Sequence, residues 1–263
     1  MTDLQLAKLC AATYDVPMTT TFPFICQIVT VADQLAIIAD DPDGGKVVAV
    51  RGSSNILNWM EDFATKLVPH PWGLVHEGFN VAWNVLWDKL VGLLDGQHVT
   101  FTGHSLGGAV ATLAAANYIE GGSHSIRGYG RTKELVTFGC PRVGNVAFSG
   151  TLHDLLLRFL VVTEKGVNRA EGPVSRLRRY HHRYDPVPMV PFVGWGYLHP
   201  NWPIWWDGEK WTDISVAKAW GAEAGRMMKR VWKSRREVLR TALTEHNIDN
   251  YVRALTPDQG AGT

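Results

Sequence analysis

The sequence predicts an α/β fold, in which apolar strands alternate with helices. Residues 46–50 and 134–140 are short apolar runs of the kind that form strands buried on both faces of a sheet. Residues 98–118 pass from strand-forming residues through a glycine-flanked turn into an alanine-rich run that favours a helix. Residues 75–94 show a helical period before that segment. Strands and helices therefore follow one another along the chain.

Length and composition indicate one globular domain. The chain has 263 residues, enough for a single large α/β domain, and it contains neither an internal repeat nor a convincing linker. The net charge of +1 gives no general case for a nucleic-acid partner. The three cysteines show no metal-binding spacing, so we expect no metal site. Nothing in the sequence indicates an oligomeric state.

The start of the chain lacks the basic residues and long apolar core of a signal peptide. No run of eighteen apolar residues is present that could span a membrane. We therefore expect a soluble protein that is cytoplasmic or exported by a non-classical route.

The N-terminal region predicts a helix followed by an antiparallel hairpin. Residues 4–14 carry apolar side chains at helical spacing. Residues 24–31 and 35–40 are strand-like, and the turn at 41–45 leads into the apolar run at 46–50. The hairpin thus feeds a central strand.

The turn at residues 103–107 has the pattern G-x-S-x-G between a strand and a helix, which is typical of a nucleophile elbow. Gly103 and Gly107 leave room for the backbone of a very tight turn. Ser105 is then strained and exposed at the carboxyl end of the strand, in front of the amides of the next helix. The alternative is a tight strand-to-helix turn without chemistry.

Residues 51–62 follow the central strand, at the edge where α/β sheets bind ligands. Their apolar side chains could cover an opening, or they could belong to an ordinary surface helix. These side chains are Ile56, Leu57, Trp59 and Met60.

Residues 75–94 predict a helix with Val81, Val85, Leu86, Leu90 and Leu94 on its inner face. His76, at its start, could be catalytic, but a positional role is the better interpretation. Cys140, at the end of the strand 134–140, is most simply a small buried residue.

Asp185 follows a predicted strand at 176–184 and precedes a proline-rich segment, a good place for a charge that must not move. His246 follows later, so Ser105, Asp185 and His246 occur in the chain order of a hydrolase triad. His199 also follows Asp185, and chain order cannot choose between the two histidines. We prefer His246, because it precedes an amphipathic stretch and His199 lies in an aromatic segment that predicts a rigid hairpin at 194–206.

Residues 216–243 predict an amphipathic helix that carries eight basic and two acidic residues beside an apolar stripe. Such a helix could lie on an anionic lipid surface, although a solvated face on a helix packed to the domain is the better interpretation of the pattern.

Several motifs together resemble the class 3 lipases, the fungal-type triacylglycerol lipase family. In order, they are VRGSSNILNWMEDF from residue 50, VHEGF from 75, FTGHSLGGAVATLAA from 101, TFGCPRVGN from 137, YDPVPMVP from 184, GYLHP from 196 and HNIDNYVRAL from 246. The resemblance implies an α/β-hydrolase fold with a mostly parallel central sheet and helices on both faces. Relative to the family, residues 214–244 are an insertion within the single domain 1–263.

The resemblance also implies roles for individual residues. Ser105 matches the nucleophile, Asp185 the acid and His246 the base. Ser53 matches the oxyanion residue and Leu106 the second backbone donor. Residues 56–62 match a lid, and His104, beside the nucleophile, is predicted to belong with the lid and substrate-binding residues.

The implied reaction is hydrolysis of carboxylic esters that carry an acyl chain, such as triacylglycerols, through an acyl-enzyme and without a cofactor. The predicted partners are a lipid or ester substrate and, peripherally, a lipid surface. One alternative is a non-lipolytic esterase or phospholipase of the same fold. An alternative of another class is a non-catalytic protein that binds membrane surfaces.

Overall fold

The structure is a computed structural model, and it describes residues 1–15, 24–53, 66–94, 97–124, 132–157, 161–163, 166–168, 177–183, 185–213 and 244–257. The predicted lid at 56–62 and the predicted amphipathic helix at 216–243 lie outside the described residues. None of the helices in the described part of the chain is both long and apolar enough to cross a membrane.

Fourteen strands and five α-helices make up the described structure. The helices are α1 (Asp3–Ala12), α2 (Glu77–Leu90), α3 (Leu106–His124), α4 (Val146–Leu157) and α5 (Ile248–Leu255). The strands are β1 (Ile25–Val31), β2 (Gln34–Asp40), β3 (Lys46–Val50), β4 (Leu67–His70), β5 (Gly73–His76), β6 (Val99–His104), β7 (Thr132–Phe138), β8 (Gly144–Asn145), β9 (Val161–Thr163), β10 (Gly166–Asn168), β11 (Leu177–His182), β12 (Tyr197–Leu198), β13 (Ile204–Trp206) and β14 (Trp211–Asp213). Short 3₁₀ turns occur at Val91–Leu93, Val187–Met189 and Val193–Trp195.

The main sheet has eight strands in the order β1-β2-β3-β6-β7-β11-β13-β14. Its centre, from β3 to β13, is parallel, and the pairs β1–β2, β2–β3 and β13–β14 are antiparallel. The predicted α/β fold with a mostly parallel sheet and an N-terminal antiparallel hairpin is therefore confirmed. A smaller sheet has the order β12-β8-β5-β4, and β9 pairs with β10.

Each face of the main sheet is covered by helices. Val48 and Val50 of β3 point into a core that contains residues of α2, α3 and α4. Val47 and Ala49 of the same strand point into a second core that contains residues of α1 and α5. Because both faces are buried, β3 reads as a continuous apolar run rather than an alternating one.

The inward face of α2 differs from the prediction at one position. Val81, predicted to point inward, is 57% exposed. The buried residues of this helix are Phe79, Ala82, Trp83, Leu86 and Leu90. This stripe has the helical spacing of three to four residues, and Val81 lies off it.

Residues 194–206 do not form the predicted hairpin. β12 joins the smaller sheet by pairing with β8, whereas β13 joins the main sheet parallel to β11. The hairpin in this region is formed by β13 and β14 instead. Local aromatic content indicated extended structure but could not identify the partner strands.

Candidate active site

The carboxyl ends of four parallel strands meet at one edge of the main sheet. Val50 of β3 pairs with Gly103 of β6, Gly103 pairs with Thr137 of β7, and Phe138 of β7 pairs with Tyr180 of β11. The segments that follow these strands therefore converge on the same edge, where α/β sheets place their ligand sites.

Ser105 lies between the last residue of β6 and the first residue of α3, in a left-handed conformation with φ of 60°. Its amide donates to the carbonyl oxygen of Phe138 over 3.0 Å. A Cβ on Gly103 would collide with the carbonyl of Gly107, and a Cβ on Gly107 would collide with the carbonyl of Val50. Glycine is required at both positions because three backbone segments meet there, and the turn has the strained form of a nucleophile elbow.

Asp185 follows β11 and is completely buried. Its Oδ1 accepts a hydrogen bond from the Val187 amide at 2.8 Å, and its Oδ2 accepts one from the Tyr251 hydroxyl at 2.6 Å. Burial alone would raise the pKa of this carboxyl group, but the attraction of His246 and the hydrogen bonds outweigh it, so the pKa lies below its ordinary value. The carboxylate is thus held ionised and in one orientation.

His246 lies just before α5, and its Nδ1 is 2.7 Å from Oδ2 of Asp185. Because an ionised carboxylate can only accept, Nδ1 carries the proton and Nε2 of the neutral ring is the free base. Nε2 of His246 and Oγ of Ser105 are both buried, and neither has a hydrogen-bond partner among the residues that the structure describes. These two atoms are the ones that a serine–histidine pair uses to transfer a proton. The expected exposure of Ser105 is wrong, since the residue is buried.

The rest of His246 lies against the elbow. Its ring stacks on the ring of His104, the residue before Ser105, with centroids 4.5 Å apart. A Cβ on Gly139, next to the residue whose carbonyl binds the Ser105 amide, would lie 2.9 Å from Cε1 of His246 and 2.7 Å from Oδ2 of Asp185. The structure therefore brings Ser105, Asp185 and His246 together from distant parts of the chain.

The His104 ring is held by contacts within the chain. It is buried, with Nδ1 2.9 Å from the Tyr14 hydroxyl and Nε2 2.7 Å from the carbonyl oxygen of His246. Both ring nitrogens thus face protein groups, and the grouping of His104 with the substrate-binding residues stays a prediction.

Ser53 and Leu106 are the predicted oxyanion donors. Each directly follows a residue of a close contact between two backbone segments, Gly52 in one and Ser105 in the other. A Cβ on Gly52, the residue before Ser53, would lie 3.0 Å from the Cβ of Ser105, the residue before Leu106. Both donors are half-buried. The other predicted lid residues, Ile56, Leu57, Trp59 and Met60, lie outside the described residues.

The two other histidines considered from the sequence have contacts elsewhere. Nδ1 of His76 accepts from the Phe79 amide at 3.4 Å and caps the N-terminus of α2. Nε2 of His199 lies 2.7 Å from the carbonyl oxygen of Pro188. Because a carbonyl only accepts, this nitrogen is a donor and His199 anchors the segment that follows Asp185.

Sequence reasoning assigned no role in the site to Tyr14 or Tyr251. Tyr251 lies one helical turn beyond His246 on the amphipathic stretch that the sequence did show, so its spacing was a usable signal. Tyr14 follows α1 and is separated from His104 by 90 positions, and no local pattern connects them.

A sequence profile described as "Lipase (class 3)" matches residues 47–195, more than half of the chain. The chain belongs to the class 3 lipase family. The resemblance seen in the motifs is thereby confirmed. The matched range contains Ser105 and Asp185, and His246 lies beyond it.

Two similar proteins that are named as lipases support membership in this family. A secreted mono- and diacylglycerol lipase 1 from Fusarium solani is 37% identical over 172 residues, covering 62% of this chain and 44% of that protein. A secreted mono- and diacylglycerol lipase A from Penicillium cyclopium is 32% identical over 190 residues, covering 67% of this chain and 53% of that protein. The chain thus spans about half the length of the curated relatives it matches.

Solved structures show the fold. The triacylglyceride lipase of Rhizomucor miehei superposes with a TM-score of 0.59 at 23% identity, covering 77% of each chain. This class 3 family member therefore has the predicted α/β-hydrolase fold.

Proposed function

We propose that this chain hydrolyses carboxylic esters of acyl chains, with acylglycerols as its substrate class, by acyl transfer to Ser105. The observation that carries the proposal is the buried Asp185–His246 pair, 2.7 Å apart, against the elbow that presents Ser105. Family membership and the names of the two relatives, both mono- and diacylglycerol lipases, support the choice of substrate class.

In the proposed reaction, Nε2 of His246 takes the proton of Ser105 as the hydroxyl oxygen attacks the ester carbonyl. Asp185 holds the imidazole with Nδ1 protonated and stabilises the imidazolium that forms. His246 then protonates the leaving alcohol, and a water molecule repeats the cycle to release the acid. All groups come from the chain, and no cofactor is required.

The amides of Ser53 and Leu106 would bind the oxyanion of the tetrahedral intermediate. They follow two backbone segments that touch, at Gly52 and Ser105, and Leu106 begins α3, whose N-terminal amides favour negative charge. One such donor contributes about 3 kcal/mol to transition-state stabilisation in other hydrolases.

The first experiment measures turnover of p-nitrophenyl butyrate and labelling by a fluorophosphonate for the wild-type chain and Ser105→Ala. We expect turnover and labelling in the wild type and neither in the variant, which should fold normally by circular dichroism. A wild-type chain that neither turns over esters nor takes the label would support the non-catalytic, surface-binding alternative. Wild-type-like turnover in Ser105→Ala would refute the nucleophile.

The second experiment tests the substrate class. Monoacyl-, diacyl- and triacylglycerols, a phosphatidylcholine and short-chain p-nitrophenyl esters are compared below and above their solubility. We expect acylglycerols to be preferred, with release of fatty acid. Activity on the short esters alone would make the chain a non-lipolytic esterase, and preference for the phosphatidylcholine would make it a phospholipase.

Two predicted elements outside the described residues belong to the same proposal. Residues 56–62 would cover the site, which Trp59→Ser tests through the ratio of rates on emulsified and dissolved ester. The helix at 216–243 would promote adsorption to anionic vesicles, and added salt should weaken it. The names of the relatives support export of the chain, which fractionation of a producing culture would test.

A further inference from the structure

Two hydrogen bonds link Tyr14 through His104 to the backbone of His246, and Tyr14 also packs against Gly52 beyond the end of β3. A Cβ on Gly52 would collide with the Tyr14 hydroxyl oxygen, and that hydroxyl lies 2.9 Å from Nδ1 of His104. Nε2 of His104 lies 2.7 Å from the carbonyl oxygen of His246. Four segments that are distant in the sequence thus meet beside Ser105.

The direction of both hydrogen bonds is determined. A carbonyl oxygen only accepts, so Nε2 of His104 must carry the proton that it donates to His246. Nδ1 of a neutral His104 then accepts, and the Tyr14 hydroxyl donates to it.

The His104 ring is held neutral next to His246. Burial lowers the pKa of His104 to about 3, and the charge of a nearby His246 acts in the same direction. The two rings stack with an interplanar angle of 30°. The negative charge of Asp185 acts to raise the pKa of His104, but burial outweighs it. A cation on His104 would oppose the imidazolium that His246 forms during proton transfer, and the neutral ring avoids this.

The Tyr14 hydroxyl lies close to the backbone at Gly52 and to the His104 ring. A Cβ on Gly52 would collide with the Tyr14 hydroxyl and the His104 carbonyl. The Tyr14 ring meets the His104 ring edge-on, with centroids 5.8 Å apart. The hydroxyl is therefore fixed between the segment that leads to Ser53 and the ring that supports His246.

We propose that Tyr14 and His104 are positioning residues that hold His246 in register with the oxyanion segment at Gly52 and Ser53. The proposal rests on the proposed function, because it concerns the base of that reaction. Neither residue touches substrate. Each acts through the groups it holds, so its loss should reduce kcat more than it changes KM.

The experiment compares Tyr14→Phe, His104→Phe and His104→Gln in the full chain, with kcat, KM and the unfolding midpoint measured on p-nitrophenyl butyrate. Phenylalanine keeps a ring on His246 but makes no hydrogen bond, whereas the glutamine amide can still donate to the His246 carbonyl. Tyr118→Phe is the matched control, since its buried hydroxyl donates to the carbonyl of Leu94, away from the site.

We expect His104→Phe to lower kcat about tenfold with KM within about twofold, the effect of one lost hydrogen bond that matters in the transition state. His104→Gln should recover most of that loss, and Tyr14→Phe should lower kcat about threefold. Tyr118→Phe should lower only the unfolding midpoint.

A folded His104→Phe chain with wild-type kcat, or a His104→Gln chain no better than His104→Phe, would overturn the proposal. If His104→Phe does not fold, Tyr14→Phe decides, and an unchanged kcat there overturns it. Because the wild-type chain is measured in the same series, an active wild type with unaffected variants refutes only the positioning role. An inactive wild type refutes the proposed function as well.

Discussion

The Tyr251 hydroxyl donates a hydrogen bond to Oδ2 of Asp185 over 2.6 Å. The same oxygen lies 2.7 Å from Nδ1 of His246. Burial, and after it the charge of Asp185, raises the pKa of Tyr251 well above its ordinary value, so the hydroxyl stays protonated and remains a donor. Tyrosine and histidine thus both hydrogen-bond to one buried carboxylate oxygen.

Replacing Tyr251 by Phe should destabilise the chain and reduce turnover. The variant loses a hydrogen bond to a buried charge and leaves the His182 amide without its acceptor at 3.1 Å. We expect a loss of ~2 kcal/mol in the free energy of unfolding and about a tenfold loss in kcat. Tyr180→Phe is the control, since its hydroxyl donates to the Asp3 carboxylate outside the site. Equal kcat in the Tyr251 variant and the wild type would show that His246 and the Val187 amide orient Asp185 without Tyr251.

The base should be His246 and not His199. His246→Ala removes the imidazole that contacts Asp185 Oδ2 and should remain folded while kcat falls by about ten-thousand-fold or more. His199→Ala loses an anchor on the carbonyl of Pro188 and should unfold at a lower temperature while keeping turnover per folded molecule. Turnover and thermal unfolding of both variants check this, and the reverse pattern would make His199 the base.

A side chain at Gly139 should displace Asp185 and His246 and so reduce activity. Gly139 has φ of 58°, and an added Cβ would lie 2.7 Å from Asp185 Oδ2 and 2.9 Å from Cε1 of His246. We expect Gly139→Ala to cost ~2 kcal/mol of stability and to reduce kcat by at least tenfold, because the carboxylate and the ring must move.

The matched control for that variant is Gly150→Ala. Gly150 lies in α4, where an added Cβ meets nothing within 4 Å. This change should raise stability by up to ~1 kcal/mol, since alanine favours the helix, and leave kcat unchanged. Denaturant unfolding and initial rates measure both variants. Intact activity in Gly139→Ala would mean that the Asp185–His246 pair tolerates displacement.

Stability should fall as the pH falls below about 6.5, the ordinary pKa of histidine. Burial lowers the pKa of His104 to about 3 and that of His181 to about 4, and it also lowers those of His182 and His199. Between the unfolded and folded pKa values only the unfolded chain takes up protons, so each such histidine contributes a slope of about 1.4 kcal/mol per pH unit. The stability is complete above pH 6.5 and is lost towards pH 4 for His181 and pH 3 for His104.

Urea unfolding at pH 6.0 and 5.0 measures this slope, and Asp185, whose pKa is lowered, adds to it only below its ordinary value near 4. His104→Gln should reduce the slope by about 1.4 kcal/mol per pH unit because one proton fewer distinguishes the two states. An unchanged slope in that variant would mean that His104 is protonated in the folded chain.

Local patterns in the sequence were sufficient for the N-terminal hairpin, the central strands β3, β6, β7 and β11, the elbow and the order of the candidate residues. Gly103 and Gly107 flank Ser105 at a spacing that only a tight strand-to-helix turn requires, and Asp185 follows a strand directly. Because the carboxyl ends of parallel strands share one edge, placing each residue after its strand was enough to predict convergence. The apolar runs also predicted burial on both faces, as β3 shows.

Contacts between distant segments were decided only by the tertiary structure. Asp185 and His246 are 61 positions apart, and His104 and His246 are 142 positions apart. Chain order left His199 as an alternative to His246, and only the packing of α5 on the sheet brought the His246 ring to the carboxylate. The hydrogen bonds that join Tyr14, His104 and His246 could not be predicted from the sequence either. The sequence specifies which side chains can donate and accept, whereas the fold determines which of them meet.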